Sequence, residues 1–144
     1  MPDPVRIVGR TVVRPARPWT ASVHALLAHL RVRGLEHEVP EPLGDDRVAF
    51  LPGEVPAYPM PGWVWHPRRL DEAGRLLRRI HDATAGFEHA DRTWQLPAHD
   101  PVEVVCHNDF APYNLVYDRH RLTGVIDFDA ASPGPRAWDV AYLA

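Results

Sequence analysis

The chain contains no lysine; all 16 of its basic residues are arginine. A P-loop lysine, a Schiff-base lysine and a lysine general base are thereby excluded. Cysteine is almost as scarce. Cys106 stands alone, so the chain can form no internal disulfide and no cysteine-ligated zinc site. It reads as a small buried apolar side chain rather than a nucleophile. Long apolar runs are missing too, and nothing approaches the roughly 18 to 20 residues of a membrane span. The opening Met-Pro-Asp-Pro-Val-Arg lacks the charged-then-apolar layout of a signal peptide. The formal net charge is −3 without a long basic stripe, which argues against a nucleic-acid partner. The expectation is a protein of the reducing cytoplasm, with no membrane partner, and with its oligomeric state left open.

What is present suits one folded domain: 144 residues, 45% hydrophobic and 24% charged, enough to bury a core. Val5 to Val8 and Thr11 to Arg14 are β-prone runs around Gly9-Arg10 and predict a hairpin. Thr20 is placed to cap a helix carrying Val23, Leu26, Leu27 and Leu30 on one face, with Gly34 past its end. Arg47 to Leu51 reads as a third strand. Pro52 to Pro67 holds five Pro and two Gly among sixteen residues, which predicts a connector without regular structure, pinned to the core by Trp63 and Trp65. Asp71 opens an amphipathic helix with Ala73, Leu76, Leu77, Ile80 and Thr84 on one face. Arg75, Arg78 and Arg79 take its solvated face, and His81 is expected to be partly buried. Val102 to Cys106 is strand-like, and Asn114 to Tyr117 with Leu122 to Ile126 predicts a second hairpin.

The densest chemistry lies in the last forty residues. His107-Asn108-Asp109-Phe110-Ala111-Pro112-Tyr113-Asn114 is followed by Ile126-Asp127-Phe128-Asp129. Asp109 and Asn114, five residues apart across a Pro-containing loop, can both face one cleft from the mouth of a hairpin. Asp127 follows thirteen residues later, at the end of the returning strand. Phosphoryl transfer from a nucleotide needs this inventory: a carboxylate to orient the acceptor hydroxyl and take its proton, and hard oxygen ligands for Mg²⁺. Each residue alone is more often a turn or strand-end group than a catalytic one. It is the three together, framed by apolar runs, that point to chemistry.

His107-x-Asp109-x₄-Asn114 matches the H-x-D-x₄-N loop of kinase-like enzymes. HNDFAPYNLVYD followed by GVIDFDAASPGPRAWDVAYLA resembles the aminoglycoside phosphotransferase and choline kinase-like family rather than protein kinases. Asn108 stands where protein kinases have Arg, and Phe128-Asp129 replaces their Phe-Gly. Val12-Val13-Arg14-Pro15 looks like the third strand of that family's N-terminal lobe, and Phe50-Leu51-Pro52-Gly53-Glu54 like its hinge.

The resemblance implies an α+β, protein kinase-like two-lobed fold, with an incomplete N-lobe sheet and a C-lobe cut short. Residues 1–51 would form the partial N-lobe, 52–67 the hinge or connector, and 68–144 the partial C-lobe. By the same resemblance Asp109 is the catalytic base, and Asn114 and Asp127 are the Mg²⁺ ligands. His107 and Asp139 support the catalytic loop. Arg14 holds the nucleotide phosphates where the family has Lys, and Phe50 and Leu51 receive the base. His24 is the nearest polar partner for Arg14, because the helix that follows has no acidic residue. Asp129 is expected to face water, with contact to a second metal as the alternative. The implied activity is transfer of the γ-phosphate of ATP (or GTP) to a hydroxyl of a small molecule. Aminoglycoside, choline, another amino alcohol, sugar and macrolide acceptors all remain open. A catalytically impaired nucleotide-binding or interaction module is the alternative, favoured by the missing Lys, helix Glu and phosphate loop. A His/Asp metal hydrolase is a third reading.

Overall fold

A computed structural model describes residues 5–143 of the chain. Three strands, β1 (Arg6–Val8), β2 (Thr11–Val13) and β3 (Arg47–Ala49), form an antiparallel sheet in that order. Gly9, at φ 62°, makes the tight turn between the first two. Helix α1 (Thr20–Leu30) lies between β2 and β3 in sequence and widens at its end into a π-type turn, Arg31–Leu35. Gly34 closes that turn at φ 97°. The Thr20 capping expectation needs correction. Trp19 occupies the N-cap position, and the Thr20 hydroxyl instead accepts from the Arg17 amide at 2.8 Å. The Pro15–Pro18 turn therefore determines the helix start.

The connector after β3 is less irregular than its proline content predicts. Glu54 exchanges two main-chain bonds of 2.8 Å with Tyr117, and Gly62–Trp65 forms a 3₁₀ turn. Of the two tryptophans only Trp63 anchors this segment. It meets Tyr117 edge-on and stacks on His120 at 4.3 Å, whereas Trp65 is 63% exposed.

Helix α2 (Pro67–Thr84) begins four residues earlier than Asp71. Pro67 supplies a preset φ at the first turn, and the His66 side chain accepts from the Arg68 amide at 3.1 Å. Its buried face is the expected one, with His81 and Thr84 wholly buried as well. Arg75 and Arg78 pair with Asp71 and Asp82 along the solvent side, where such pairs contribute little. The helix is about 27 Å long by its rise and is tied at both ends. Near its start Glu72 accepts from the Leu122 amide at 2.7 Å. At its end the Thr84 hydroxyl accepts from the Val105 amide at 3.0 Å.

Those ties reach two small antiparallel pairs. β4 (Val104–Cys106) pairs with β7 (Ser132–Gly134), and β5 (Leu115–Asp118) pairs with β6 (Arg121–Val125). Arg119 and His120 turn the β5–β6 hairpin at φ 50° and 65°, the positive-φ pair that matches strand twist. Helix α3 (Arg136–Leu143) closes the described chain. Neither β7 nor α3 was read from the sequence as an element.

One buried cluster runs through the molecule, from Val23, Leu26 and Leu30 of α1 through Leu77 and Ile80 of α2 to Phe110, Leu115, Val125 and Phe128. Among the described residues no helix is long and apolar enough to cross a membrane. The seam between the first half and the hairpin is tight at Gly124. The Val125 amide donates to the Glu38 carbonyl at 2.9 Å, and a Cβ on Gly124 would meet that carbonyl at 2.8 Å and Leu51 at 2.6 Å. Gly124→Ala should therefore cost about 1–3 kcal/mol through backbone displacement, read as a lower urea midpoint with an unchanged m-value.

Candidate active site

The loop from His107 to Asn114 hangs from one carboxylate. Asp139, on α3, is fully buried. Its Oδ2 accepts from the His107 amide at 2.8 Å and from His81 Nε2 at 2.7 Å, while Oδ1 accepts from the Asn108 amide at 2.7 Å. Three donors on one buried carboxylate offset much of its desolvation. Asn108 turns the chain at φ 68°, a conformation that Asn tolerates better than most residues. Its Nδ2 donates to the Ala130 carbonyl and the Ser132 hydroxyl, both at 2.9 Å. The loop is thereby stitched to the stretch leading into β7.

His107 holds the next position. Its Nδ1 accepts from the Asp109 amide at 3.1 Å and its Nε2 donates to the Ile126 carbonyl at 3.0 Å. That pair of bonds specifies the neutral ring with its proton on Nε2. Phe110 and Phe128 meet the ring edge-on. Burial lowers its pKa from the ordinary 6.5, and the Ile126 carbonyl and nearby carboxylates pull weakly the other way.

Asp109 and Asn114 meet directly. Asn114 Nδ2 donates to Asp109 Oδ2 at 2.9 Å and to the Asp109 carbonyl at 3.0 Å. The other carboxylate oxygen of Asp109 accepts from the Tyr113 hydroxyl. That bond, more than burial, pushes the Tyr113 phenol up to about 12. Asp127 arrives beside them through the backbone, because the Ile126 amide donates to the Asn114 carbonyl at 2.9 Å. It sits at φ 59°, a costly conformation for Asp that the hairpin on one side and Phe128 on the other sustain.

Arg14 reaches this group from the residue just after β2. Its Nη2 lies 3.1 Å from Asp127 Oδ1 and 2.6 Å from Asp129 Oδ2. Asp129 is thus half-buried and ion-paired, not facing water as the sequence suggested. Burial raises its pKa above the ordinary 3.8 and the Arg14 guanidinium pulls it back. His24 lines the same cavity, but Arg14 takes carboxylates as its partners. The cavity is about 240 Å³ and includes Phe50 and Leu51 with Asp127 and Asp129 at its end. The Phe50 amide is already committed to the Arg10 carbonyl at 2.7 Å.

The structure therefore brings Asp109 to Asn114, Asp127 to Arg14, and His107 to Asp139, with Phe50 and Leu51 on the wall beyond Arg14. Sequence reasoning missed two neighbours. Tyr113 lies inside the motif, four residues after Asp109, and that spacing could have flagged it. His81 was read as partly buried; a histidine on the apolar face of α2 was the available signal. Cys106 is buried, its thiol pushed up to about 12 mainly by burial. Among the described residues no three or more His, Cys, Asp or Glu side chains converge to hold a metal.

Residues 86–144, the stretch that carries this whole loop, match the pattern of the phosphotransferase enzyme family. The trifolitoxin immunity protein of Rhizobium leguminosarum bv. trifolii is 32% identical over 137 residues, covering 87% of this chain and 51% of that protein. The chain thus spans about half the length of that curated relative. Among solved structures, macrolide 2'-phosphotransferase MphH from Brachybacterium faecium matches with a TM-score of 0.62 at 19% identity. That match covers 92% of this chain and 62% of the enzyme. Nearly the whole described chain therefore shares the fold of part of that phosphotransferase.

The neutral His107 ring makes stability depend on pH. Its folded-state pKa lies below 6.5, so below that pH the unfolded chain binds the extra proton and the folded one does not. The stability it confers is complete above 6.5 and is lost as pH falls toward the folded value. Urea unfolding between pH 7.5 and 5 should show this loss, and His107→Gln should flatten the pH slope whatever it does to the midpoint at neutral pH.

Proposed function

We propose that the chain supplies the catalytic part of a phosphotransferase that moves the γ-phosphate of ATP, or of GTP, to a hydroxyl of a small molecule. The observation that carries this reading is the joining of Asp109 and Asn114 at the mouth of the β5–β6 hairpin, with Asp127 delivered beside them by the Ile126–Asn114 bond. In this reading Asp109 orients the acceptor hydroxyl and takes its proton as the oxygen bonds to the γ-phosphorus, while the bond from phosphorus to the β–γ bridging oxygen breaks. Tyr113 must yield its place on the carboxylate for the acceptor to enter.

The donors at the far side suit Mg²⁺. Asn114 commits its amide N–H to Asp109, which leaves the side-chain oxygen for a hard cation alongside the Asp127 carboxylate. Mg²⁺ would neutralise charge on the phosphates there. The cleft also favours a nucleotide that brings cations with it. Asp46, Asp127 and Asp129 line it against a single arginine, so a bare polyphosphate would meet net negative charge. His107 and Asp139 keep the loop in register. Phe50 and Leu51 supply an apolar wall for the base.

We further read residues 1–51, 52–67 and 68–144 as partial N-lobe, connector and partial C-lobe of a two-lobed kinase-like fold in a cytoplasmic protein. The two similar proteins, one named for immunity to a toxin and the other for acting on a macrolide, favour a toxin or antibiotic hydroxyl among the possible acceptors. A second reading, a nucleotide-binding module with little or no turnover, draws on Arg14 closing over Asp127 and Asp129. Asp109→Asn separates the two. If the chain is a phosphotransferase, this variant should lose about 10²–10⁴-fold in transfer rate while still binding Mg-ADP. A phosphate-transfer screen over hydroxylated acceptors, with calorimetric Mg-ADP binding on the same samples, checks both halves. Equal rates for variant and parent would remove Asp109 as the base, and binding without transfer in the parent would favour the module.

A further inference from the structure

Among the described residues Arg14 is the only arginine lining the cleft, and in a chain without lysine it is the only one of those side chains with a permanent positive charge. One of its terminal nitrogens serves two carboxylates at once, Asp127 at 3.1 Å and Asp129 at 2.6 Å. The carboxylates come from residues two apart on one strand end, where their mutual repulsion would otherwise be uncompensated. The Arg14 side chain is three-quarters buried, and its Nε is buried without a hydrogen-bond partner. The present seat therefore leaves an unpaired donor out of water, at a cost that a more complete partner would remove. A phosphate group is such a partner, because it accepts the guanidinium fork bidentately where these two separate carboxylates accept one nitrogen.

We propose that Arg14 is a resident counter-cation of this site: it occupies the Asp127–Asp129 pair in competition with a divalent cation and moves off when a phosphate-bearing ligand accepts its guanidinium. This inference rests on the reading of Asp127 as a cation ligand. Divalent cation alone then binds weakly, and cation and nucleotide phosphate each promote binding of the other. A lysine could neutralise the same carboxylates, but its ammonium is a point charge without the fork that transfers to phosphate. Arginine at this position thus links charge neutralisation of the empty cleft to phosphate recognition.

The test is equilibrium binding of Mn²⁺ to the full chain without nucleotide, followed by electron paramagnetic resonance. Arg14→Gln and Arg14→Met remove the competing charge, and Met retains the packing of the stem. Both should bind Mn²⁺ at least about tenfold more tightly than the parent, given the strength of a unit charge at this range. Arg14→Lys keeps a cation and should stay within about threefold of the parent. The inference is overturned if Gln and Met leave the affinity within about twofold, or if Lys tightens it as much as they do, which would mark general loosening. Asp127→Asn separates this outcome from failure of the underlying reading. If Mn²⁺ binding is unchanged by Arg14→Gln but lost on Asp127→Asn, the ligand assignment stands and the competition is wrong. If Arg14→Gln binds tightly and adding Asp127→Asn changes nothing, the cation sits elsewhere and both fall.

Discussion

The buried carboxylate of Asp139 is the constraint on which the rest of the site depends. It is fully enclosed and accepts from two consecutive backbone amides, His107 and Asn108, and from the His81 ring. A carboxylate so placed could not persist without its donors, because an unpaired buried charge costs several kcal/mol, about 3–5 where one partner of a buried pair is removed. The requirement runs in both directions. The loop gives up two amides that would otherwise be orphaned at the end of β4, and α3 is fixed by the residue that receives them. His81 brings α2 into the same arrangement. One side chain thus locks strand end, helix and loop together, which explains how a loop rich in turn-forming residues can hold a defined geometry.

From that anchor the geometry propagates in short steps. Asn108 can take its left-handed turn because its side chain finds Ala130 and Ser132. His107 passes the constraint across to Ile126, and Ile126 to Asn114, so the two stretches that carry Asp109 and Asp127 are spaced by hydrogen bonds rather than by packing alone. α2 is the strut behind them. Its ties at Glu72 and Thr84 connect the β5–β6 hairpin to the start of β4. Side chains placed for chemistry need this kind of support, since a small displacement of a reacting group is expensive in rate.

Much of this was legible in the sequence, and the gaps have physical causes. The helix faces of α1 and α2 follow from apolar spacing, and the β1–β2 and β5–β6 hairpins from alternation around turn residues. Helix starts were displaced because local chemistry outside the apolar pattern decided them: the Pro15–Pro18 turn before α1, and His66-Pro67 before α2. β7 was invisible because Ser132-Pro133-Gly134 has turn composition, and only its partner β4 makes it a strand. Asp129 was misread for a related reason. Two carboxylates two residues apart suggest a solvated strand end, and only the fold brings Arg14 from 115 positions away to neutralise them. The spacing of Asp109, Asn114 and Asp127 could be read because it is local. The supporting contacts, His81 with Asp139 and Arg14 with Asp127 and Asp129, join positions distant in sequence and could not.

The replacement of lysine by arginine throughout the chain matters at one position above the rest. Arg75 and Arg78 lie on a solvated face, where either residue would serve, pairing with carboxylates one turn away and remaining mostly exposed, and the more enclosed Arg69 pairs with Glu72 at 2.7 Å with its own Nε buried and unpaired. At Arg14 the side chain is enclosed, its head divided between two acids and its Nε left unpaired. A lysine there would have no inner nitrogen to strand and no fork to offer a phosphate. The unpaired Nε is therefore specific to arginine, and on the proposed reading it favours release of the carboxylates when a better acceptor arrives. What sets Arg14 apart is that one of its nitrogens serves two acids at once, in the cleft where, on the proposed reading, cation and phosphate would meet.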